Sequence, residues 1–197
     1  FGLKRFTSGQ VLCDGTQVTL GSARKAIEYG WGLIPKSRRD EGLLMGWSIA
    51  RNIALTVLGR LQTRWGLMDH GAVQATAQQF IERLRIAAAS SAMDVAHLSG
   101  GNQQKVLLAK WLAIRPNVLI LSDPTRGVDV GAKQEIYQLC RCLAADGIAI
   151  LFTSSEADEL LGLADRVLVL RKGRVAEEFV PSETTKSQLI HAMSAST

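Results

Sequence analysis

The stretch LSGGNQQK, Leu98 to Lys105, decides how this chain is read. A serine and two glycines stand directly before a long amphipathic run, Asn102 to Ala113. This reads as a helix start with nothing bulky in front of it. Its free N–H groups and the positive end of its dipole make an anion site. Ser99 adds a hydroxyl donor, and Gly100 and Gly101 admit a ligand close to the backbone. Asn102 opens the helix, and Gln103 and Lys105 add polar groups in its first turn. A surface phosphate there gains about 0.3–1 kcal/mol from the dipole. The same residues also suit a plain glycine-rich loop that only caps a helix, so the rest of the sequence must decide.

Outward from this stretch, composition sets the bounds. At 197 residues the chain can bury a real core and suits one domain. No uncharged apolar run approaches the ~18 residues of a membrane span, and no signal-peptide pattern opens it. Service to a membrane would therefore run through partners. The net charge is +5, but Lys and Arg are scattered and no basic run is interleaved with aromatics, which argues against nucleic acid. Cys13, Cys140 and Cys142 form neither a disulfide framework nor a zinc spacing and read as reduced thiols.

The pattern along the chain is mixed. Residues 7–20 alternate around Asp14-Gly15, which predicts a hairpin. Ser22 caps a short helix to Tyr29. Trp31–Pro35 is a buried strand, followed by a polar loop over 36–42. Residues 48–95 read as helical, with caps at Ser48 and Asp69. From Val118 strands and helices alternate: strand Val118–Leu121, helix Ala132–Ala145, strand Ile148–Thr153, helix Ser155–Ala164. Strands Arg166–Leu170 and Arg174–Val180 follow, then a tail with one short helix that frays. Alternation of this kind predicts an α/β sheet covered on both faces.

LSGGNQQK followed by VLLAKWLA resembles the signature motif of ABC-type ATPases, in the form typical of bacterial sugar importers. SDPTRGVDVGAK, 122–133, resembles their Walker B and D-loop segment. The resemblance runs from about Phe1 to about Phe179. It implies an α/β fold, a P-loop NTPase ABC-type domain over 1–197 lacking its Walker A segment. A helical subdomain at about 45–97 and a small antiparallel β part complete that fold. It also implies ATP and Mg²⁺ as cofactors, a second ABC lobe, an integral membrane permease and, indirectly, a periplasmic sugar-binding protein as partners. The place of work would be the cytoplasmic face of the bacterial inner membrane. Phe1 is not Met and Phe1-Gly2-Leu3 reads as a helix end, so the chain is expected to be the C-terminal lobe of a tandem subunit without its N-terminal portion.

Phosphoryl transfer needs a phosphate cradle, a magnesium ligand and a group orienting water. The cradle Gly-x-x-x-x-Gly-Lys-Ser/Thr is absent from the sequence, and the fragment alone is expected to be inactive. The resemblance places Lys36 where a Gln or Glu follows the proline of the Q-loop, yet a lysine offers only donors. Ser122 stands at the magnesium position, where a hydroxyl is a weaker partner than a carboxylate. Asp123 replaces the catalytic glutamate with one methylene less, Ser155 falls at the catalytic histidine, and Asp129 matches the D-loop. The lobe's own site thus reads as degenerate while Ser99, Gly100, Gly101, Asn102 and Gln103 read as an intact signature for a partner's ATP. The rival reading is a non-hydrolysing pseudo-ATPase lobe that regulates or holds the permease. A chromosome or DNA-repair ABC ATPase ranks low, because 48–95 is too short for an inserted coiled coil.

Overall fold

The computed structural model describes residues 1–4 and 7–194, which divide into two compact units, Phe1–Phe152 and Thr153–Thr197. The first opens with β1 (Val11–Cys13) and β2 (Thr16–Val18), an antiparallel pair in which Cys13 faces Thr16 across the expected turn. Asp14 and Gly15 both take positive φ, 49° and 75°, which is what a two-residue hairpin turn with the twist of its strands demands. Phe1 to Leu3, expected to close a helix, carry no helix. Gly2 instead turns at φ +83°, and a Cβ there would lie 2.7 Å from the Ser22 carbonyl oxygen.

Helix α1 (Ala23–Glu28) starts where Ser22 Oγ accepts the Lys25 N–H, the expected cap. Strand β3 (Trp31–Ile34) follows and pairs in parallel with β4 (Val118–Ser122), Ile34 opposite Leu121. β5 (Ala149–Thr153) completes a three-stranded sheet in the order β3-β4-β5. One face of it, carrying Ile34, Leu119 and Leu121, is fully buried. The other, with Trp31, Leu33, Val118 and Ile120, is only half-buried, and Leu151 of β5 is 60% exposed. The two faces of the sheet, both expected to be covered, are thus covered to different depths. The apolar run of β4 is uniform because one side is sealed and the other still excludes much of the solvent.

The helical part is built on α2 (Ile49–Ala54), α3 (His70–Arg83) and α4 (Gly100–Leu112). Ser48 and Asp69 cap α2 and α3 as expected, accepting the N–H groups of Arg51 and Ala72. α2 ends at Ala54, earlier than its apolar pattern suggests; the backbone passes into i→i−3 bonds (Leu55 N–H to Asn52, Val57 N–H to Ala54), and the Thr56 hydroxyl donates to the Lys110 carbonyl. Ile49, Ile53, Phe80, Val95, Val106, Leu107 and Leu108 form the buried seam. Each large aliphatic buried there contributes about 1.5–3 kcal/mol of apolar transfer. Helix α5 (Val130–Ala145) lies beyond β4 and turns Ile136, Cys140 and Leu143 inward.

The second unit has its own small core. β6 (Val167–Arg171) and β7 (Arg174–Phe179) pair antiparallel across Lys172-Gly173, both at positive φ. Val167 and Val169 pack on Ala157, Leu189 and Ala192 of α6 (Ala157–Leu163) and α7 (Lys186–Ser194). Helix α6 begins two residues later than the pattern from Ser155 suggests. The expected fraying of the tail falls on 195–197, outside the described residues.

Candidate functional site

The parallel strands β3 and β4 end side by side, and the loops leaving them hold Lys36 and Asp123, two of the candidate residues. Open α/β sheets bind ligands outside these carboxyl ends. Just past β3 the chain expected as a plain loop winds into a π-helical turn, Arg38–Gly42, capped by Ser37 Oγ accepting the Asp40 N–H. Lys36 precedes it and places Nζ 3.2 Å from Asp123 Oδ2, just past β4. Asp123 sits at φ +46°, a left-handed conformation that Asp tolerates better than most residues. Ser122, half-buried, is the last residue of β4.

At the start of α4, Ser99 is the N-cap. Its Oγ accepts from the Asn102 N–H at 3.4 Å and from Asn102 Nδ2 at 2.9 Å. Both lone pairs are then used, and the O–H is the part of Ser99 that can donate to an anion. Gly100 and Gly101 were expected ahead of the helix, open to a ligand; they lie inside its first turn and face this chain. A Cβ on Gly100 would sit 2.8 Å from Arg38 Nη2 and 3.3 Å from the Gly127 oxygen. One on Gly101 would sit 2.7 Å from Ala132 Cβ. Internal packing disfavours a side chain at Gly101, against the Ala132 methyl, and at Gly100 one would have to displace the Arg38 guanidinium.

Gln103, expected among the groups facing a ligand, is corrected to an internal strut. It is 1% exposed, donates through Nε2 to the carbonyls of Val95 (3.3 Å) and Leu98 (3.0 Å), and accepts from Arg38 Nε at 3.2 Å. Burial makes each of those bonds expensive to lose. Asn102 Oδ1 accepts the Ala87 N–H, and Lys105 donates to the Arg85 carbonyl and pairs with Glu135 at 2.6 Å. Asp129 caps α5 by accepting the Ala132 N–H at 2.9 Å. Ser155 belongs to the second unit, where it is exposed ahead of α6.

Three polar residues that sequence reasoning passed over hold this region. Asn52 is fully buried; its Oδ1 accepts the Leu44 N–H, and Nδ2 donates to the carbonyls of Leu44, Trp47 and Ser48. Lys110, 9% exposed, donates to the Gly42 carbonyl at 2.8 Å and so closes the π-helical turn. Burial holds its pKa below the ordinary lysine value. Arg38 donates to Gln103 and to two main-chain carbonyls, with its pKa lowered by burial and then by the neighbouring Arg39 charge. A lysine inside the apolar run 106–112 is a readable signal; nothing in the sequence separates Arg38 from Arg39.

Residues 1–126 match the family model described as ABC transporter. The chain belongs to the ABC transporter family. It is 47% identical over 192 residues to the ribose import ATP-binding protein RbsA 2 of Streptomyces avermitilis, a match covering 98% of this chain and 38% of that protein. To the ribose import ATP-binding protein RbsA of Bacillus subtilis it is 44% identical over 190 residues, 96% of this chain and 38% of that one. The chain thus spans about two fifths of the length of these curated relatives. In fold it resembles a nucleotide-free ATP-binding cassette of an ABC transporter, with TM-score 0.81 at 20% identity, covering 96% of this chain and 76% of that one. A dimeric cassette in a post-hydrolysis state bound to ADP and Pi gives TM-score 0.73 at 20% identity, covering 91% and 76%. The α/β ABC-type fold read from the sequence is the fold found.

For an ABC domain the site past β3 and β4 raises the question of Mg²⁺. The ion wants near-octahedral oxygen ligands, with one or two carboxylates beside the phosphates. Here the strand end offers one neutral hydroxyl, Ser122, and one carboxylate, Asp123, already faced by the Lys36 ammonium. Among the described residues no group of three or more His, Cys, Asp or Glu side chains could hold a metal. These residues do not fit the ion. No helix among the described residues is long and apolar enough to cross a membrane.

Proposed function

We propose that this chain is the nucleotide-handling, energy-coupling part of an importer for a sugar, a monosaccharide such as a pentose. Its relatives are called ribose import ATP-binding proteins, and it aligns with them over nearly its whole length. In this reading 1–197 is one ABC-type domain with a helical subdomain at about 45–97, working at the cytoplasmic face of the bacterial inner membrane. Its partners are a second ABC lobe, an integral permease and, through that permease, a periplasmic sugar-binding protein. Its cofactor is ATP.

The observation that carries the reading is an asymmetry between two neighbouring regions. Ser99 caps α4 with its O–H left to donate, at the positive end of a thirteen-residue helix. The ends of β3 and β4 instead present Ser122 and a carboxylate held by an ammonium. We infer that this lobe offers Ser99 and the N-terminus of α4 to the phosphates of ATP held by the partner lobe, and contributes little hydrolysis itself. Ser99→Arg in the full-length protein tests this, because the larger cation fills the phosphate approach. Loss of a donor of this type costs roughly 10²–10³ in turnover, and unchanged ATPase activity refutes the reading.

The Lys36–Asp123 ion pair favours a second reading, a pseudo-ATPase lobe that binds or regulates without hydrolysing. The double change Lys36→Gln with Ser122→Asp removes the competing cation and adds a carboxylate. Under the second reading ATPase activity appears only after that change; activity already present in the unchanged protein and lost with Ser99→Arg speaks for the first.

A further inference from the structure

Arg38 is engaged through all three of its nitrogens. Nε donates to Gln103 Oε1 at 3.2 Å, Nη1 to the Arg126 carbonyl at 3.0 Å, and Nη2 to the Gly127 carbonyl at 3.1 Å. These partners lie on different segments. Gln103 is in α4 and itself grips the carbonyls of Val95 and Leu98, in the turn that leads into α4. Arg126 and Gly127 lie in the loop between β4 and α5, which ends at Asp129. Arg38 itself opens the π-helical turn after β3, whose far end is held by Lys110 at Gly42. One guanidinium therefore joins the turn after β3, the start of α4 and the loop after β4.

The joint is close-fitted. A Cβ on Gly100 would lie 2.8 Å from Arg38 Nη2 and 3.3 Å from the Gly127 oxygen, so a side chain there is accommodated only if the guanidinium moves. Gly127 takes φ +66°, which aims its chain past the guanidinium at a conformation other side chains rarely adopt. The planar fork of arginine can serve an amide oxygen and two carbonyls at once, whereas a lysine ammonium is a point donor on a flexible stem and cannot span the three sites.

We propose that Arg38 is a positioning residue that locks Ser99 and Asp129 into one rigid unit with the turn after β3, so that a displacement of that turn moves both. The inference rests on the reading of Ser99 given above for its functional consequence, but the joint itself does not. Arg38 touches no nucleotide in this proposal; it acts through Gln103 and the 126–127 carbonyls. A shift in residues 36–42 is carried to the N-terminus of α4 and to the cap of α5 because one planar guanidinium holds all three segments and Gln103 is buried among close-packed neighbours.

The test uses the full-length protein carrying Arg38→Lys, with Arg38→Gln as a second variant and hydrogen exchange read by peptide. Loss of two charged hydrogen bonds predicts exchange about tenfold or more faster in the peptides spanning 99–104 and 126–131 together. Exchange in α3, which the joint does not reach, stays as in the parent and shows that the variant is folded. In ATPase assays kcat falls about tenfold while KM for ATP moves less than about twofold, the split expected when geometry rather than binding is lost. Gln103→Leu combined with Arg38→Lys costs less than the sum of the two single changes, because they share the Nε–Oε1 bond. Wild-type exchange in both peptides, acceleration in only one of them, or a kcat unchanged despite faster exchange overturns the proposal. If the parent protein shows no ATPase activity, the reading of Ser99 as a donor to a partner's ATP fails in favour of the non-hydrolysing lobe, and the two peptides still decide whether the joint exists.

Discussion

Replacing Gly101 by alanine tests the contact that seats the start of α4 against α5. In an exposed helix the change is stabilising by about 0.5–1 kcal/mol, since alanine loses less backbone entropy. Here the added methyl lands 2.7 Å from Ala132 Cβ, while carbon atoms settle at about 3.5–4.0 Å. The two helices must part by roughly 1 Å, and neither atom belongs to a flexible chain that can swing away. Overpacking of this kind costs about 1–3 kcal/mol. The sign therefore reverses, and local opening becomes easier by a factor on the order of 5 to 100. Hydrogen exchange on the full-length protein reads this in the peptides spanning 99–104 and 130–135. Ala132→Gly in the same chain removes the opposing methyl, costs at most about 1 kcal/mol by helix propensity, and restores protection lost to Gly101→Ala. If Gly101→Ala alone protects these peptides as well as or better than glycine does, or if the second change restores nothing, the close approach of α4 and α5 is not what demands the glycine.

Three further outcomes follow from buried groups. Asn52→Ala takes the acceptor from the Leu44 N–H and one donor from each of the Leu44, Trp47 and Ser48 carbonyls, which keep a backbone N–H; it costs about 2 kcal/mol and opens residues 43–48 to limited proteolysis, and resistance equal to the parent's counts against the network. Burial pushes the Cys140 thiol up to about 12, so in native protein at pH 8 a thiol reagent labels exposed Cys142 and spares Cys140 until denaturant is added. Lys110 has its folded-state pKa below its unfolded value of 10.5 because burial disfavours the charge. Between those two values the unfolded chain binds more protons, so stability rises with pH. The stability difference between the parent and Lys110→Met is thus flat below the folded-state pKa and moves in the parent's favour as pH climbs from there towards 10.5; a difference that stays flat to pH 10.5 refutes the buried cation.

Much of the fold was legible because it rests on local physics. Ser22, Ser48 and Asp69, read as caps from the sequence, each accept an N–H three residues on, a relation written within four consecutive residues, and Ser99 and Asp129, not read as caps, do the same at helices that start two residues earlier than read. The turn at Asp14-Gly15 and the one at Lys172-Gly173 are equally local. The helix boundaries that slipped, at Ala54 and Ala157, lie where side chains leave the helix pattern for partners elsewhere or where the pattern does not mark the first turn. The π-helical turn over 38–42 was illegible for a related reason: it closes against Lys110, 68 residues away.

The site divides along the same line. By itself the sequence determined that a serine-capped helix with two small residues follows a polar linker, that a carboxylate and a hydroxyl stand at the end of a buried strand, and that both belong to an ABC-type pattern. Only the tertiary structure decided what these groups face. Gln103 turns inward because its amide is matched by two carbonyls and a guanidinium brought from 65 residues away. Lys36 meets Asp123 because β3 and β4, distant in sequence, are hydrogen-bonded neighbours whose ends lie together. Spacing along a chain reports which atoms share a helix turn or a hairpin; which distant segments lie against each other is set by the packing of the whole core, and that is where the partners of Arg38, Gln103 and Lys36 were chosen.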